Sequence, residues 1–512
     1  MVRARLITLL FCFLTSGCAL RPEVLSLEQL SAYSDDKRWR TTIDQEPLNG
    51  PLSLYEAMAR ALKYNLDHRV EMMEVALREQ QLSVAHFSLL PNIVANSGYD
   101  GRNNYSGGSS VELLNDNVTG QESLRSSTSS DKDIKTTDIT FSWHILDFGL
   151  SYIRARQASD QVLISNERRR KVINRIIEDV RTAYWKAVAA DRTMSQLRQL
   201  NGRVEEALAN SRKLSQRADA SPLTALTYER ELREIQREMG NLESELTTAK
   251  AQLAALVNVS PGESFRVEVP HWYKTPRILG MSADAMIEQA LVSRSELREV
   301  AYNARINRRE AEAAILEMLP GISLDTAPNF NSNDFLFNQY WVTWGAKASW
   351  NLIKVFSYPA RRAEVDAKDE LLDARALAVT MAIMTQVHVS RARLIHARRK
   401  YRVAQDFFDV QNRILRQIRA ALDAGKVSEQ TAIREEMNTL VARVKLDLAF
   451  VELQNAFANA FASVGQDPFE DGLLTGEETV RELEVQLRDK WRALGDRHAY
   501  LESGVRKPSV RA

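Results

Sequence analysis

Two stretches of the chain keep apolar residues at alternating spacings of three and four. One runs through Ile383, Val387, Leu394, Ala397, Tyr401, Ala404, Phe408, Leu415, Ile418 and Leu422, with Ser390 and Gln411 as its polar occupants. The other runs through Val172, Ile176, Ala183, Ala187, Ala190, Met194, Leu197, Val204 and Leu208. Such seams predict very long helices packed as coiled coils. Around two tryptophans the period drops from 3.6 to 2. Ile139, Phe141, Trp143 and Ile145 alternate with Asp138, Thr140, Ser142 and His144, and Val342, Trp344, Ala346, Ala348, Trp350 and Leu352 alternate with Thr343, Gly345, Lys347, Ser349 and Asn351. These segments predict strands with one apolar and one polar face.

The pattern occurs twice. At one constant offset Ser53 falls on Ser282, Ala61-Leu62 on Ala290-Leu291, Arg69 on Arg298 and Leu90-Pro91 on Leu319-Pro320. At a shorter offset Ser142-Trp143 falls on Ser349-Trp350, Val257 on Val464 and Pro261 on Pro468. The chain therefore divides into a first repeat, 53–261, and a second, 282–468, each with a helix, two strands, a long helix and a return helix. The expected strands are 91–100, 137–146, 321–330 and 339–352; the long helices are 150–216 and 358–422; the return helices are 223–257 and 429–464. Single helices are expected over 54–90 and 282–319.

At 1.5 Å per residue each long helix spans roughly 100 Å, which no globular domain of this length accommodates. The leading and return helices of each repeat match that length when stacked end to end. Segments 18–52, 262–281 and 469–512 then meet near mid-height, the last with a helix carrying Leu483, Leu487 and Trp491. The change of offset leaves about 22 extra residues in the first repeat; they fall in 101–137, rich in Asn, Gly and Ser, which reads as a flexible loop.

Strands at one end of such helices have no second sheet to cover them. Ten-residue segments with one apolar face suit a membrane β-barrel, in which every backbone group pairs with a neighbouring strand. Four strands cannot close a barrel, for which about eight are needed. Several copies must contribute, and three would supply twelve strands.

The N-terminus reads as an export signal over 1–17: Arg3 and Arg5, an apolar run from Leu6 to Leu14, then Thr15-Ser16-Gly17 before Cys18. Ser16-Gly17-Cys18 resembles a bacterial lipobox, which implies acylation of Cys18, and Ala19 resembles an outer-membrane sorting residue. Lys and Arg (68) balance Asp and Glu (67), which removes the electrostatic case for nucleic-acid binding. Gly (20) and Pro (13) are scarce, in keeping with long unbroken helices. Two cysteines exclude a disulfide scaffold.

No enzyme constellation competes. His68, His86, His144, His271, His388, His396 and His498 are scattered, without His-Glu-x-x-His, a phosphate-binding glycine loop or Gly-x-Ser-x-Gly. No catalytic, cofactor or metal site is expected.

With the duplication, Leu52-Ser53-Leu54, Leu90-Pro91, Leu319-Pro320, Phe141-Ser142-Trp143, Asp147-Phe148-Gly149 and Ala424-Gly425-Lys426-Val427-Ser428 in this order, the chain resembles the TolC-like outer-membrane efflux factors. Cys18-Ala19-Leu20-Arg21-Pro22 is similar to the start of their lipidated members. The resemblance implies a mainly α fold with membrane β-structure, a homotrimeric helical barrel topped by a twelve-stranded β-barrel. It also implies a location in the Gram-negative outer membrane, an exit duct for efflux, and docking to a periplasmic adaptor and an inner-membrane pump. Within that class the outer duct of a type I polypeptide secretion system is the alternative; outside it, a periplasmic coiled-coil adaptor.

Two breaks between long and return helices are expected to form the tunnel tip and gate: Arg217, Ala218, Asp219, Ala220 and Ser221, and Ala424, Gly425, Lys426, Val427 and Ser428. Phe141, Trp143, Trp344 and Trp350 are expected to face lipid. Some family members ring the aperture with acids six and nine residues after the tip glycine, positions that are Thr431 and Arg434 here. Glu429, Glu435 and Glu436 lie nearby and read most simply as solvated carboxylates.

Overall fold

The computed structural model describes residues 24–41, 43, 45–109, 111–115, 117–122, 126–215, 222–260, 263–269, 281–466 and 478–502. In chain order the elements are α1 (Leu27–Arg40), α2 (Leu54–Tyr64), α3 (Leu66–Phe87), β1 (Asn92–Gly101), β2 (Gly107–Gly108), β3 (Val111–Leu114), β4 (Asn117–Glu122), β5 (Ser127–Thr128) and β6 (Asp133–His144). There follow α4 (Ile145–Ser215), α5 (Pro222–Leu256), α6 (Ala283–Ser293), α7 (Ser295–Leu316), β7 (Gly321–Asn331), β8 (Tyr340–Ser349), α8 (Leu352–Asp423), α9 (Glu429–Ser463) and α10 (Val480–Glu502).

The long helices exceed expectation, at 71 residues for α4 and 72 for α8, or about 106 and 108 Å. Helix α4 begins directly where β6 ends. Helix α8 starts ahead of Pro359, which therefore lies inside it; Asn351 caps the start by accepting from the Ile353 N–H. That cap satisfies one of the orphan amides of the first turn.

The helices expected over 54–90 and 282–319 are each two. Asn65 breaks the first with extended backbone, and its side-chain oxygen accepts from the Asp67 and His68 amides to open α3. Arg294 breaks the second without a side-chain cap; its guanidinium instead bonds Glu296 and Gln386. Helix α1 was not expected. Its start is a capping box in which Ser26 and Gln29 satisfy each other's backbone. Within 101–137, short ladders pair β2 with β5 and β3 with β4, so part of the expected loop is regular.

The helices form one layer. Helices α3 and α5 pack on α4, α4 packs on α7 and α9, and these pack on α8. The seams hold it together. Ile176, Ala183, Ala187, Ala190, Leu197, Val204 and Leu208 of α4 are buried, as are Ile383, Val387, Leu394, Ala397, Tyr401 and Leu415 of α8. The two polar seam residues have partners: Ser390 shares a 2.8 Å hydrogen bond with Ser463, and Gln411 donates to Glu435 at 2.8 Å. Two apolar clusters lie side by side near mid-height, one in each repeat, with Trp185 packed against both, and a third follows toward the tip.

At mid-height the connecting segments wrap the layer. Leu52 bonds in parallel with the strand at Val267, and Lys250 bridges Asp191 at 2.7 Å and the Phe265 carbonyl at 2.9 Å. Helix α10 packs on α2, burying Leu483 and Leu487, and Arg181 stacks over Trp491 at 4.3 Å. Burial lowers the Arg181 pKa to about 10, so the stacked guanidinium remains the charged form at neutral pH.

Both repeats end their return helix alike. Asn258 (φ 57°) and Gly465 (φ 73°) occupy the left-handed position. The next amide reaches back to Ala254 and to Phe461, closing a Schellman motif in each.

The inverted sheet and the helical tip

Strands β1, β6, β7 and β8 form one antiparallel sheet in that order. The register places Ile93 beside Phe141, Phe141 beside Thr326, and Thr326 beside Trp344. The adjacent row is Trp143, Leu324 and Ala346. Side chains alternate across a strand, so Ile93, Phe141, Trp143, Leu324, Trp344 and Ala346 share one face. Trp350 follows the end of β8 in the same parity, and its indole donates to the Met318 carbonyl at 2.8 Å.

That apolar face is the open one. Trp344 is 83 % exposed, and Ile93, Ile322, Leu324, Phe141, Trp143 and Trp350 are exposed as well. The polar face is the sheltered one: Ser323 is buried, and Thr136, Asp138, Thr140 and Ser142 are half-buried between exposed neighbours. There Asn96 donates to Asp138 at 2.9 Å and Asn329 to Thr343 at 3.0 Å. A sheet in water orients itself the other way. Trp341, opposite in parity to Trp344 on the same strand, falls on the polar face beside Asn329; the sequence reading did not single it out.

Among the described residues strand β1 pairs only with β6 and β8 only with β7. Each outer edge thus presents ten residues of unpaired backbone, which in a stable protein must be covered or matched.

At the far end of the layer, α8 closes on Ala424, and Gly425 takes φ 67°. The Lys426 amide bonds the Ala421 carbonyl and the Gly425 amide that of Leu422, both at 2.8 Å. Ser428 caps α9 by accepting from the Thr431 amide. The reversal is a Schellman turn joined by Val427 to a capped helix, and the positive φ explains the glycine. Arg217, Ala218, Asp219, Ala220 and Ser221 lie outside the described residues, as does Cys18 with the signal segment.

Above this tip the carboxylates are not the solvated groups expected. Glu436, 14 % exposed, pairs with Arg203 of α4 and, at 3.1 Å, with Arg419 of α8. Glu435 accepts from Gln411. Only Glu429 stays largely open, 3.9 Å from Arg203. Glu436 thus joins α4, α8 and α9 beside a groove of about 300 Å³ lined by Arg203, Arg419 and Arg443. No described helix is long and apolar enough to cross a membrane, and no group of three or more metal-ligating side chains occurs among the described residues.

No protein-family model matches the sequence, and no curated protein matches it. Solved structures do. The CmeC outer membrane channel of Campylobacter jejuni superposes with a TM-score of 0.63 at 14% identity, covering 92% of this chain and 98% of that one. The open-state MtrE outer membrane channel of Neisseria gonorrhoeae gives 0.60 at 15%, over 83% and 96%. The outer-membrane channel OprN gives 0.61 at 14%, over 81% and 90%. With its duplicated long helices and four-stranded antiparallel sheet, the chain has the fold of the TolC-like outer-membrane efflux channels.

Proposed function

We propose that the protein is an outer-membrane exit duct, assembled as a homotrimer whose twelve strands close a barrel in lipid and whose helices extend it as a tunnel through the periplasm. The inverted sheet carries this reading. Exposed Trp344, Leu324 and Ile93 on one face require an apolar solvent, while Asp138 and Asn329 on the other require a wet interior. The unpaired edges of β1 and β8 require neighbouring strands. A periplasmic coiled-coil adaptor needs neither feature.

In this reading Phe141, Trp143, Trp344 and Trp350 contact hydrocarbon or its interface, where amphipathic rings are favoured. Acyl chains on Cys18 add an anchor worth about 0.8 kcal/mol per buried CH₂. The tip segments at 217–221 and 424–428 are the gate and the contact for a periplasmic adaptor, which links the duct to an inner-membrane pump. Opening follows only as far as the adaptor prefers the splayed tip. The fold alone does not specify the cargo.

Reconstitution into planar bilayers tests the proposal. Purified protein should give discrete conductance steps, abolished by cysteine cross-links near Gly425 and unaffected by links near Ala187. Protein that inserts but never conducts, or whose tip-locked form conducts equally, refutes it.

A further inference from the structure

Across the polar face of the sheet, Asn96, Asp138, Asn329 and Trp341 stand in one row, and we propose that this row is a cargo site for organic cations that carry an aromatic ring. The proposal rests on the channel reading for the water that bathes this face, and it deepens that reading by naming a class of cargo.

The register makes the row. Asn96 faces Asp138, Asp138 faces Asn329, and Asn329 faces Trp341, each on the neighbouring strand. Side chains alternate along a strand, so all four rise on one side of the sheet. Neighbouring strands lie about 4.8 Å apart, which separates the Asp138 and Trp341 backbones by roughly 10 Å. The flanking rows carry short side chains, with Val94, Thr140 and Thr343 on one side and Gly98, Thr136 and Asn331 on the other. They leave the row open.

The hydrogen bonds decide which atoms remain available. Asn96 donates to Asp138 Oδ2 at 2.9 Å, and the Thr140 hydroxyl donates to the same oxygen at 2.8 Å. Asn329 commits its amide N–H groups to the Ala327 carbonyl at 2.8 Å and the Thr343 hydroxyl at 3.0 Å. Among the described residues, Asp138 Oδ1 and the side-chain oxygens of Asn96 and Asn329 have no hydrogen-bond partner, and neither has the Trp341 indole N–H. The row therefore offers three acceptors, one of them a carboxylate, beside an exposed indole. Acceptors in that number attract a cation and repel an anion. The indole face takes an attached ring by stacking and favours positive charge near it.

Trp341 serves the fold in no way its fellow tryptophans do. Trp143 packs edge-on against Phe148, Trp350 donates to the Met318 carbonyl, and Trp344 belongs to the apolar face. The surrounding charge agrees with a cationic ligand. Asp100 and Asp325 share the face of the row, four residues along their strands from Asn96 and Asn329. Within the four strands the one lysine or arginine of this face is Lys347, six residues and about 20 Å along β8 from Trp341.

Titration calorimetry on the purified full chain in detergent tests the site, with 4-phenylbutyltrimethylammonium as the probe. Saturable binding is expected, weakened about tenfold by Asp138→Asn and about tenfold by Trp341→Ala. Trp344→Ala, on the opposite face, should leave it unchanged. Tetramethylammonium lacks the ring and 4-phenylbutan-1-ol lacks the charge; each should bind about tenfold more weakly than the probe. Absence of saturable binding, equal binding of the alcohol, or an equal loss in Trp344→Ala overturns the site. Where Trp341→Ala fails to assemble, Asp138→Asn decides, since it keeps the shape and an acceptor for Thr140; unchanged affinity in that variant overturns the site. Bilayer recordings on the same preparation separate the two readings. Conductance steps without probe binding remove the site and leave the duct, whereas probe binding by protein that inserts without conducting leaves the site and removes the duct.

Discussion

The three-helix junction at Glu436 gives the gate a magnitude. Glu436→Gln keeps the shape and one acceptor but removes the charge that holds Arg203 and Arg419. The Arg203 side chain is 32% exposed against a carboxylate 14% exposed, so its charge-assisted bonds are worth about 1.5–3 kcal/mol. Arg419 is 59% exposed, and solvent screens its share towards about 0–1 kcal/mol. The loss is then about 1.5–4 kcal/mol. The junction lies within about three helical turns of Gly425 and ties α4 of one repeat to α8 and α9 of the other. If splaying the tip breaks it, the closed state loses roughly 10- to 700-fold against the open one, at 1.4 kcal/mol per factor of ten. Single-channel recording in planar bilayers reads this as open probability. Glu429→Gln is the control: with a side chain 62% exposed and 3.9 Å from Arg203, it should change open probability less than threefold. An intact Glu436→Gln trimer whose open probability stays within threefold of the parent refutes the reasoning.

Three further outcomes are expected. Gly465→Ala places a Cβ 2.8 Å from that of Ser293 on a residue with φ 73°, costing about 1–2 kcal/mol for the backbone and about 1–3 kcal/mol for the overlap; thermal or denaturant unfolding should show the loss, and parent-like stability contradicts it. Cys18→Ser should remove the acyl mass from the mature N-terminus, read by mass spectrometry; an unmodified Cys18 in the parent sinks the lipid proposal. Removing 107–128 should leave trimer assembly unchanged on native gels, because Asn333 holds its turn through Ser129 and Asp131, which are retained; loss of the trimer contradicts this.

Much of the architecture was legible because coiled-coil seams and alternating strands repeat over many residues, and duplication showed each twice. Boundaries depending on single residues were not. Nothing between Leu62 and Leu66 stops a helix by propensity, and the break rests on the Asn65 side chain capping the next segment. At Arg294 the break has no side-chain cap, and the extended residue is held by Glu296 beside it and by Gln386 from another helix, which sequence cannot place. The second long helix starts six residues ahead of the expected 358, because Asn351 supplies the cap. Helix α1 was readable in principle from the Ser26-Gln29 box. The Glu436 junction had no local signal: its arginines come from α4 and α8, and side chains on charged helices look alike in sequence.

The central claim is that the sheet turns its apolar face to lipid, and β8 holds the means to test it. Trp344 and Trp341 lie on the same strand with opposite parity, one 83 % and the other 39 % exposed. Single-tryptophan variants retaining each would be reconstituted in bilayers of brominated lipid and their fluorescence compared. The account predicts strong quenching of Trp344 and little of Trp341; equal quenching of both, or quenching of Trp341 alone, contradicts it.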